Sequence, residues 1–191
     1  MADRSKWLVF LAAIIGTAIL AALPLGLSAY GVSTGIVYFA NIALATAWAL
    51  FSGPTRYISL ATATFVGVGM YTVAFAHVSL NLAVCLALAA IIGFFFALIV
   101  GLSTLRLRGV YFVIFTFGLT ELMRQVSSWY EINITNKLNR FITISIDSIV
   151  IYEMLLVLAV VAVVGSWYVS TTRLGHALRA IGEDETVARH T

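Results

Sequence analysis

The sequence predicts an all-α, polytopic integral membrane bundle of about six transmembrane helices, with the third a candidate for a broken or re-entrant helix. Three observations lead there. Of 191 residues, 62% are hydrophobic and 10% charged, with a mean hydropathy of +1.04, whereas soluble domains hold about 25% charged residues. The apolar residues fall in blocks of about twenty, the helical length that crosses ~30 Å of hydrocarbon. The basic residues gather between alternate blocks.

The first span is read over Trp7–Leu27. Arg4 and Lys6 precede it like the n-region of a signal peptide, but the apolar run is too long and further spans follow, so no cleavable signal is expected. Pro24 lacks a backbone donor and is expected to kink the outer end of this helix. The second span is Gly31–Phe51. Asn41 lies in its middle, flanked by Thr34 and Thr46. A buried amide needs partners, so this face is expected to meet other helices or an aqueous cavity. Gly31 and Gly35 make a lone GxxxG, a weak signal.

The third span, Tyr57–Val78, carries Ser59, Thr62, Thr64, Gly67, Gly69 and Thr72 and follows Gly53-Pro54. An interruption at membrane depth is tolerated only where protein or water satisfies the backbone. The fourth, Leu80–Gly101, has small residues four apart at Cys85, Ala89, Gly93, Ala97 and Gly101. Such a face lets helix backbones approach closely; helix packing is the plain reading, and a subunit interface or pathway wall the alternative. Cys85 is the only cysteine, which excludes an internal disulfide.

The fifth span, Val110–Trp129, places Glu121 and Arg124 three residues apart on one helical face. Ionisable groups are costly in a bilayer and are paired or turned to the bundle interior. Two readings stand: a mutual ion pair that fixes packing, or a charge on the translocation path. The last span is Ile149–Val169, with Glu153 near its outer end and expected to snorkel to water.

With the N-terminus inside, Arg4, Lys6, Arg56, Arg106, Arg108, Arg173, Arg179 and Arg189 fall on inner segments, while Lys137 and Arg140 fall on outer ones. The positive-inside bias then puts both termini in the cytoplasm. Trp7, Trp48, Trp129 and Trp167 all lie near span ends, the headgroup level that indole rings favour. The sizeable outer segment, Tyr130–Ser148, alternates apolar and polar residues and is expected to form a short strand or an interfacial helix. Its Asn133-Ile134-Thr135 sequon is a tripeptide common by chance.

Residues 1–170 are thus read as the transmembrane domain and 171–191 as a cytoplasmic segment. In that tail Leu174, Ala177, Leu178 and Ile181 recur at helical spacing, with Arg173, His176 and Arg179 on other faces. Gly182 is expected to interrupt the helix, and Glu183, Asp184 and Glu185 to open a second short turn. Three consecutive acids disfavour lying on an anionic leaflet and favour docking to another protein. The sequence holds no phosphate-cradling loop and no metal-ligand cluster, and His77, His176 and His190 are scattered. No enzyme activity, cofactor, metal or nucleic-acid partner is expected; ATP, if it drives the system, is hydrolysed by another chain.

Three segments resemble the LivH/LivM-type permeases of branched-chain amino acid ABC importers, closest to the LivM branch. Phe51–Tyr71, FSGPTRYISLATATFVGVGMY, is similar to the family's glycine-rich stretch through Gly53, Ser59, Leu60, Phe65, Gly67, Gly69 and Tyr71. Leu105–Arg124, LRLRGVYFVIFTFGLTELMR, resembles the family's LRLRGvYF segment, Glu121 and Arg124 included. Arg173–Arg189, RLGHALRAIGEDETVAR, resembles the segment that meets the ATP-binding subunit. The departures are Ala61-Thr62 in place of Gly-His, Gly182 in place of a basic residue, and Asn133–Phe141 in place of a glycine-rich outer segment.

The resemblance implies a permease subunit in a bacterial or archaeal inner membrane. Its cargo would be a branched-chain amino acid, with urea or short amides as related substrates. Its partners would be a second permease subunit, ATP-binding subunits and a periplasmic binding protein. It nominates Arg173, Gly175, Leu178, Arg179, Ile181, Glu183, Asp184 and Glu185 for ATPase coupling, and Asn41, Ser59, Gly67, Gly69, Glu121 and Arg124 for the path or its packing. Family members continue past the position of Thr191, so a truncated, non-transporting partner of permeases is the competing expectation. An independent secondary transporter would carry more membrane-embedded charge and no docking tail.

Overall fold

The computed structural model describes residues 13–77, 80–104, 106–107, 109–135 and 146–183. All regular structure among them is helical: α1 (Ala13–Leu25), α2 (Ala29–Thr55), α3 (Thr62–Ala76), α4 (Leu82–Thr104), α5 (Val110–Tyr130), a π-helical turn (Glu131–Thr135), α6 (Ser148–Thr171) and α7 (Arg173–Glu183). Three of these, α2, α4 and α6, are long and apolar enough to cross a membrane. Their outward side chains suit lipid: Phe94, Ile99 and Leu102 of α4 are each more than 60% exposed, an apolar surface that a water-soluble chain would bury. Trp48, Trp129 and Trp167 are exposed near helix ends, as expected of headgroup-level residues. Trp7 lies outside the described residues.

The chain forms two compact units. The first joins residues up to Leu50 with those from Ile144 onward. Its core is one stripe from each of two helices, Val32, Phe39 and Ala43 of α2 against Tyr152, Leu156 and Ala159 of α6. These spacings of three, four and seven mark single helical faces. Tyr152 organises the contact. It is 2% exposed, and its ring meets Phe39 edge-on at 5.1 Å. On α2 it packs over Gly35, where a Cβ would run into the ring. The weak GxxxG signal therefore has a local meaning within this chain.

Tyr152 also explains Pro24. Its hydroxyl donates to the Leu20 carbonyl at 3.0 Å. Leu20 stands four residues before Pro24, which has no N–H to return to that carbonyl. Rather than kinking a continuing helix, Pro24 lies in a 3-10 turn (Leu23–Leu25) that closes α1 at Gly26, and the acceptor it frees is taken by Tyr152.

The second unit spans Phe51–Thr143. α2 ends here at Arg56, whose φ of +57° is the left-handed conformation of a helix terminus. The chain then runs without helix to Ala61, so α3 holds only 15 residues. At 1.5 Å per residue that is about 22 Å, short of the ~30 Å of hydrocarbon. The broken third helix expected from its glycines and threonines is present, with the break at its N-terminal end.

The non-helical backbone is satisfied by hydroxyls. The Leu60 N–H donates to Thr116 Oγ1 at 3.2 Å, and Thr120 Oγ1 donates to the Leu60 carbonyl at 2.9 Å. Thr64 Oγ1 bonds Thr120 Oγ1 at 3.0 Å, and Ser59 Oγ accepts from the Ala61 N–H at 3.4 Å. Thr116 is 1% exposed. Two threonines one turn apart on α5 thus hold an irregular segment against the helix, which permits such backbone at membrane depth.

α4 packs on α3. Cys85 is fully buried, and Phe65 meets Phe96 edge-on at 5.5 Å. The inward face of α4 follows Cys85, Ala89, Gly93, Phe96 and Val100, while Ala97 and Gly101 are exposed. A strict four-residue spacing drifts off a 3.6-residue helix, and the packed face stays with the helix. α5 is long enough to span, at 21 residues, but Glu121, Arg124, Gln125, Ser127 and Ser128 make its C-terminal half polar.

Candidate functional site

Two places gather the residues nominated above, one in each unit. In the second unit a cavity of about 560 Å³ opens between α3 and α5. Thr64, Gly67, Val68, Tyr71 and Phe75 line it from α3, and Thr120, Met123, Arg124, Val126 and Ser127 from α5, with Glu131 at the turn that follows. The Tyr71 hydroxyl donates to Glu131 Oε1 at 2.8 Å. Gly67 adds no side chain to the wall, and a Cβ there would meet open space.

Glu121 and Arg124 form the expected pair. The guanidinium donates from Nε at 2.9 Å and from Nη2 at 2.6 Å to the two carboxylate oxygens, and Gln125 Nε2 adds a third bond to Glu121 at 2.9 Å. The side chains are 65% exposed for Arg124 and 46% for Glu121. The two charges are thus paired with each other at a largely exposed position, and Arg124 also borders the cavity. Ser59 sits on the irregular segment before α3 and Gly69 on α3 itself; neither lines the cavity. Asn41 does not join this group. It lies in the other unit, exposed, and its Nδ2 donates to the Val37 carbonyl one turn back at 2.8 Å, so its own helix supplies the partner.

The second place is the elbow between α6 and α7 in the first unit. Thr172, with φ −90° and ψ 170°, breaks the helix for one residue. Its N–H and its hydroxyl both donate to the Val169 carbonyl, at 3.1 and 2.8 Å. α7 then starts at once and folds back so tightly that Gly175 is buried against the end of α6. A Cβ at Gly175 would overlap the Val169 carbonyl and approach Ser170 Cα at 2.8 Å. His176 bonds the Thr172 carbonyl through Nδ1 at 2.8 Å, and Arg179 Nη2 reaches the Ser170 carbonyl at 3.4 Å. Of the last carbonyls of α6, which have no helical partner of their own, Val169 is thereby engaged by Thr172 and Ser170 by Arg179 of α7.

α7 continues through Gly182 to Glu183, so the expected interruption at Gly182 is absent; a single glycine weakens a helix by about 1 kcal/mol without ending it. Arg173 is exposed, and Leu174 is 69% exposed although it belongs to the apolar stripe. Ile181 and Glu183 fall within α7, and Asp184 and Glu185 lie outside the described residues.

Glu131 and the Thr116–Thr120 ladder went unnoticed in the sequence. Glu131 follows Arg124 by seven residues, two helical turns on one face; that spacing was the available signal. The segment after α5 begins with a π-helical turn, and residues 136–145, where a short strand or an interfacial helix is expected, lie outside the described set.

Long apolar helices, an irregular third helix and a short amphipathic helix clamped to the last long one make this a polytopic helical membrane protein. Comparison with protein families matches residues 31–191 to the permease component of branched-chain amino acid transport systems. The chain belongs to that family, which makes it a transport component. Neither curated proteins nor solved structures gave a match.

Proposed function

We propose that this chain is one permease subunit of an ATP-driven importer for branched-chain amino acids in a bacterial or archaeal inner membrane, and that α7 is its coupling helix. The observation that carries the reading is the elbow. α7 presses its backbone at Gly175 onto the carbonyl end of α6, so a force on α7 displaces α6 instead of flexing a linker. Its exposed Leu174 and Ala177 offer an apolar face that this chain leaves uncovered, suited to a groove on a soluble partner.

In this account paired ATP-binding subunits close on ATP and push α7. α6 carries the motion into the helix bundle through Tyr152 and its contacts with α2, and the path changes access from one side to the other. A second permease subunit completes the path, and a periplasmic binding protein delivers cargo. Hydrolysis is assigned to the ATP-binding subunits.

Charge reversal in the tail tests it. Glu183→Lys with Glu185→Lys abolishes recovery of the ATP-binding subunit in detergent pull-downs while leaving membrane insertion intact. Undiminished recovery refutes α7 and the acids after it as the docking segment.

A further inference from the structure

We propose that the hydroxyl ladder joining Leu60 and Thr64 to Thr116 and Thr120 is a releasable latch that closes the N-terminal end of the cavity between α3 and α5. Residues 56–61 are the hinge on which it opens. This rests on the reading above for taking the cavity as part of the transport path.

Two contacts define the ends of the cavity. Thr64 meets Thr120, and Tyr71 meets Glu131, so α3 and α5 run in the same direction. The lining begins at Ala63 on α3 and at Thr120 on α5. At that level the two helices are joined hydroxyl to hydroxyl at 3.0 Å. Just before it, Leu60 is held to α5 through both its N–H and its carbonyl. Ala61, Thr64 and Thr116 are all buried, so this end is shut. About 10 Å further along α3, the Tyr71–Glu131 bond and the edge-on contact of Phe75 with Tyr130, at 5.3 Å, bound the other end.

The latch lets go without stranding the hydrogens of α5. Each threonine hydroxyl has one hydrogen. Thr116 Oγ1 gives its hydrogen to the Val113 carbonyl of its own helix, at 3.0 Å, and only accepts from Leu60. Thr120 Oγ1 lies 2.9 Å from the Leu60 carbonyl and 3.1 Å from the Thr116 carbonyl, so its hydrogen passes from one acceptor to the other. Of the ladder's groups, release leaves the Leu60 N–H, the Leu60 carbonyl and the Thr64 hydroxyl to be met by water, which enters as the end opens. The segment before them is built to turn. Arg56 holds a φ of +57°, a conformation that a residue with a side chain keeps only where its surroundings impose it. Pro54 brings no N–H to the last turn of α2, and a Cβ at Gly53 would meet open space.

The test reads accessibility in membrane vesicles of known orientation that hold this chain with its permease and ATP-binding partners. Gly67→Cys puts a thiol on the cavity wall, where a Cβ meets open space, and a membrane-impermeant methanethiosulfonate is the probe. Cys85, fully buried, gives the background in the chain without Gly67→Cys. Thr120→Val, added to Gly67→Cys, removes two of the ladder's bonds. It raises labelling about tenfold from the cytoplasmic face, to which the positive-inside bias assigns the N-terminal end, and leaves labelling from the other face unchanged. Thr120→Ser keeps the hydroxyl and the original rate. Thr72→Val, which removes a hydroxyl bonded to the Val68 carbonyl of α3 itself, also keeps it. Where Thr120→Val does not assemble, Thr64→Val is read in its place, with a rise on the same face. An unchanged rate refutes the latch, and so does a rise from both faces with labelling of Cys85, which marks general loosening. Leucine uptake is measured beside it with Gly67 intact. A refuted latch with ATP-driven uptake leaves the importer reading standing; a one-faced rise in an assembly that takes up no leucine supports the latch and removes the importer reading.

Discussion

Gly175→Ala separates a local effect from a tertiary one because the two have opposite signs. Within an isolated helix the substitution is favourable by about 1 kcal/mol, since alanine loses less backbone freedom than glycine. In the folded chain the new Cβ would overlap the Val169 carbonyl and crowd Ser170 Cα at 2.8 Å and its carbonyl at 2.9 Å. These are backbone atoms and cannot rotate away. Overpacking of this kind costs about 1–3 kcal/mol, against which propensity returns about 1 kcal/mol. The net penalty of up to about 2 kcal/mol shifts the docked-to-undocked ratio of α7 by up to ~30-fold. Spin labels at Val163 on α6 and Ala177 on α7, both exposed, report the separation. The wild type gives one narrow distance distribution; Gly175→Ala gives a broad one, with leucine uptake falling while the ATP-binding subunit remains bound. An α7 peptide with the same change gains helicity. An unchanged distance and unchanged uptake would falsify the elbow as a rigid link.

Further predictions concern the parts that hold the bundle. Thr116→Val, close to isosteric, strands the Leu60 N–H that Thr116 Oγ1 accepts at 3.2 Å; a loss of about 1–3 kcal/mol is expected in detergent unfolding, and a stability equal to wild type contradicts the ladder. Tyr152→Phe removes the bond to the Leu20 carbonyl and lowers stability by about 1–2 kcal/mol; combined with Pro24→Ala, which restores an N–H to that carbonyl, much of the loss returns, and strictly additive penalties argue against the link. Glu121→Gln leaves Arg124 without its bidentate carboxylate and reduces uptake or subunit assembly; unchanged uptake together with unchanged thermal stability removes both roles of the pair.

The long helices were legible because a run of twenty apolar residues has one economical structure in a bilayer. The shortened third helix was legible too, since Gly67, Gly69 and the threonines around them weaken a transmembrane pattern without replacing it. The means of holding the break were not. Thr116 and Thr120 read as ordinary residues of α5 until Leu60 is placed beside them, and that pairing spans 56 to 60 residues of chain. Pro24 misled for the same reason. Its lost donor was evident, but the consequence depends on a tyrosine 132 residues from Leu20. At Asn41 the helix itself supplies an acceptor, the Val37 carbonyl, which polarity alone does not reveal. In the tail the amphipathic pattern gave α7, while the need for glycine at 175 is a matter of contact with α6. Gly182, by contrast, looked like a stop and is helical, one residue before the described end of α7.

The central claim is that this chain passes the work of ATP to a path for branched-chain amino acids. Its most direct measurement is radiolabelled leucine uptake into proteoliposomes holding the purified assembly, with binding protein outside and ATP inside. The account predicts uptake that requires ATP, vanishes when this chain is omitted and falls with Gly175→Ala. Uptake that proceeds equally without ATP or without this chain, or no uptake from a complete and ATP-hydrolysing assembly, contradicts it.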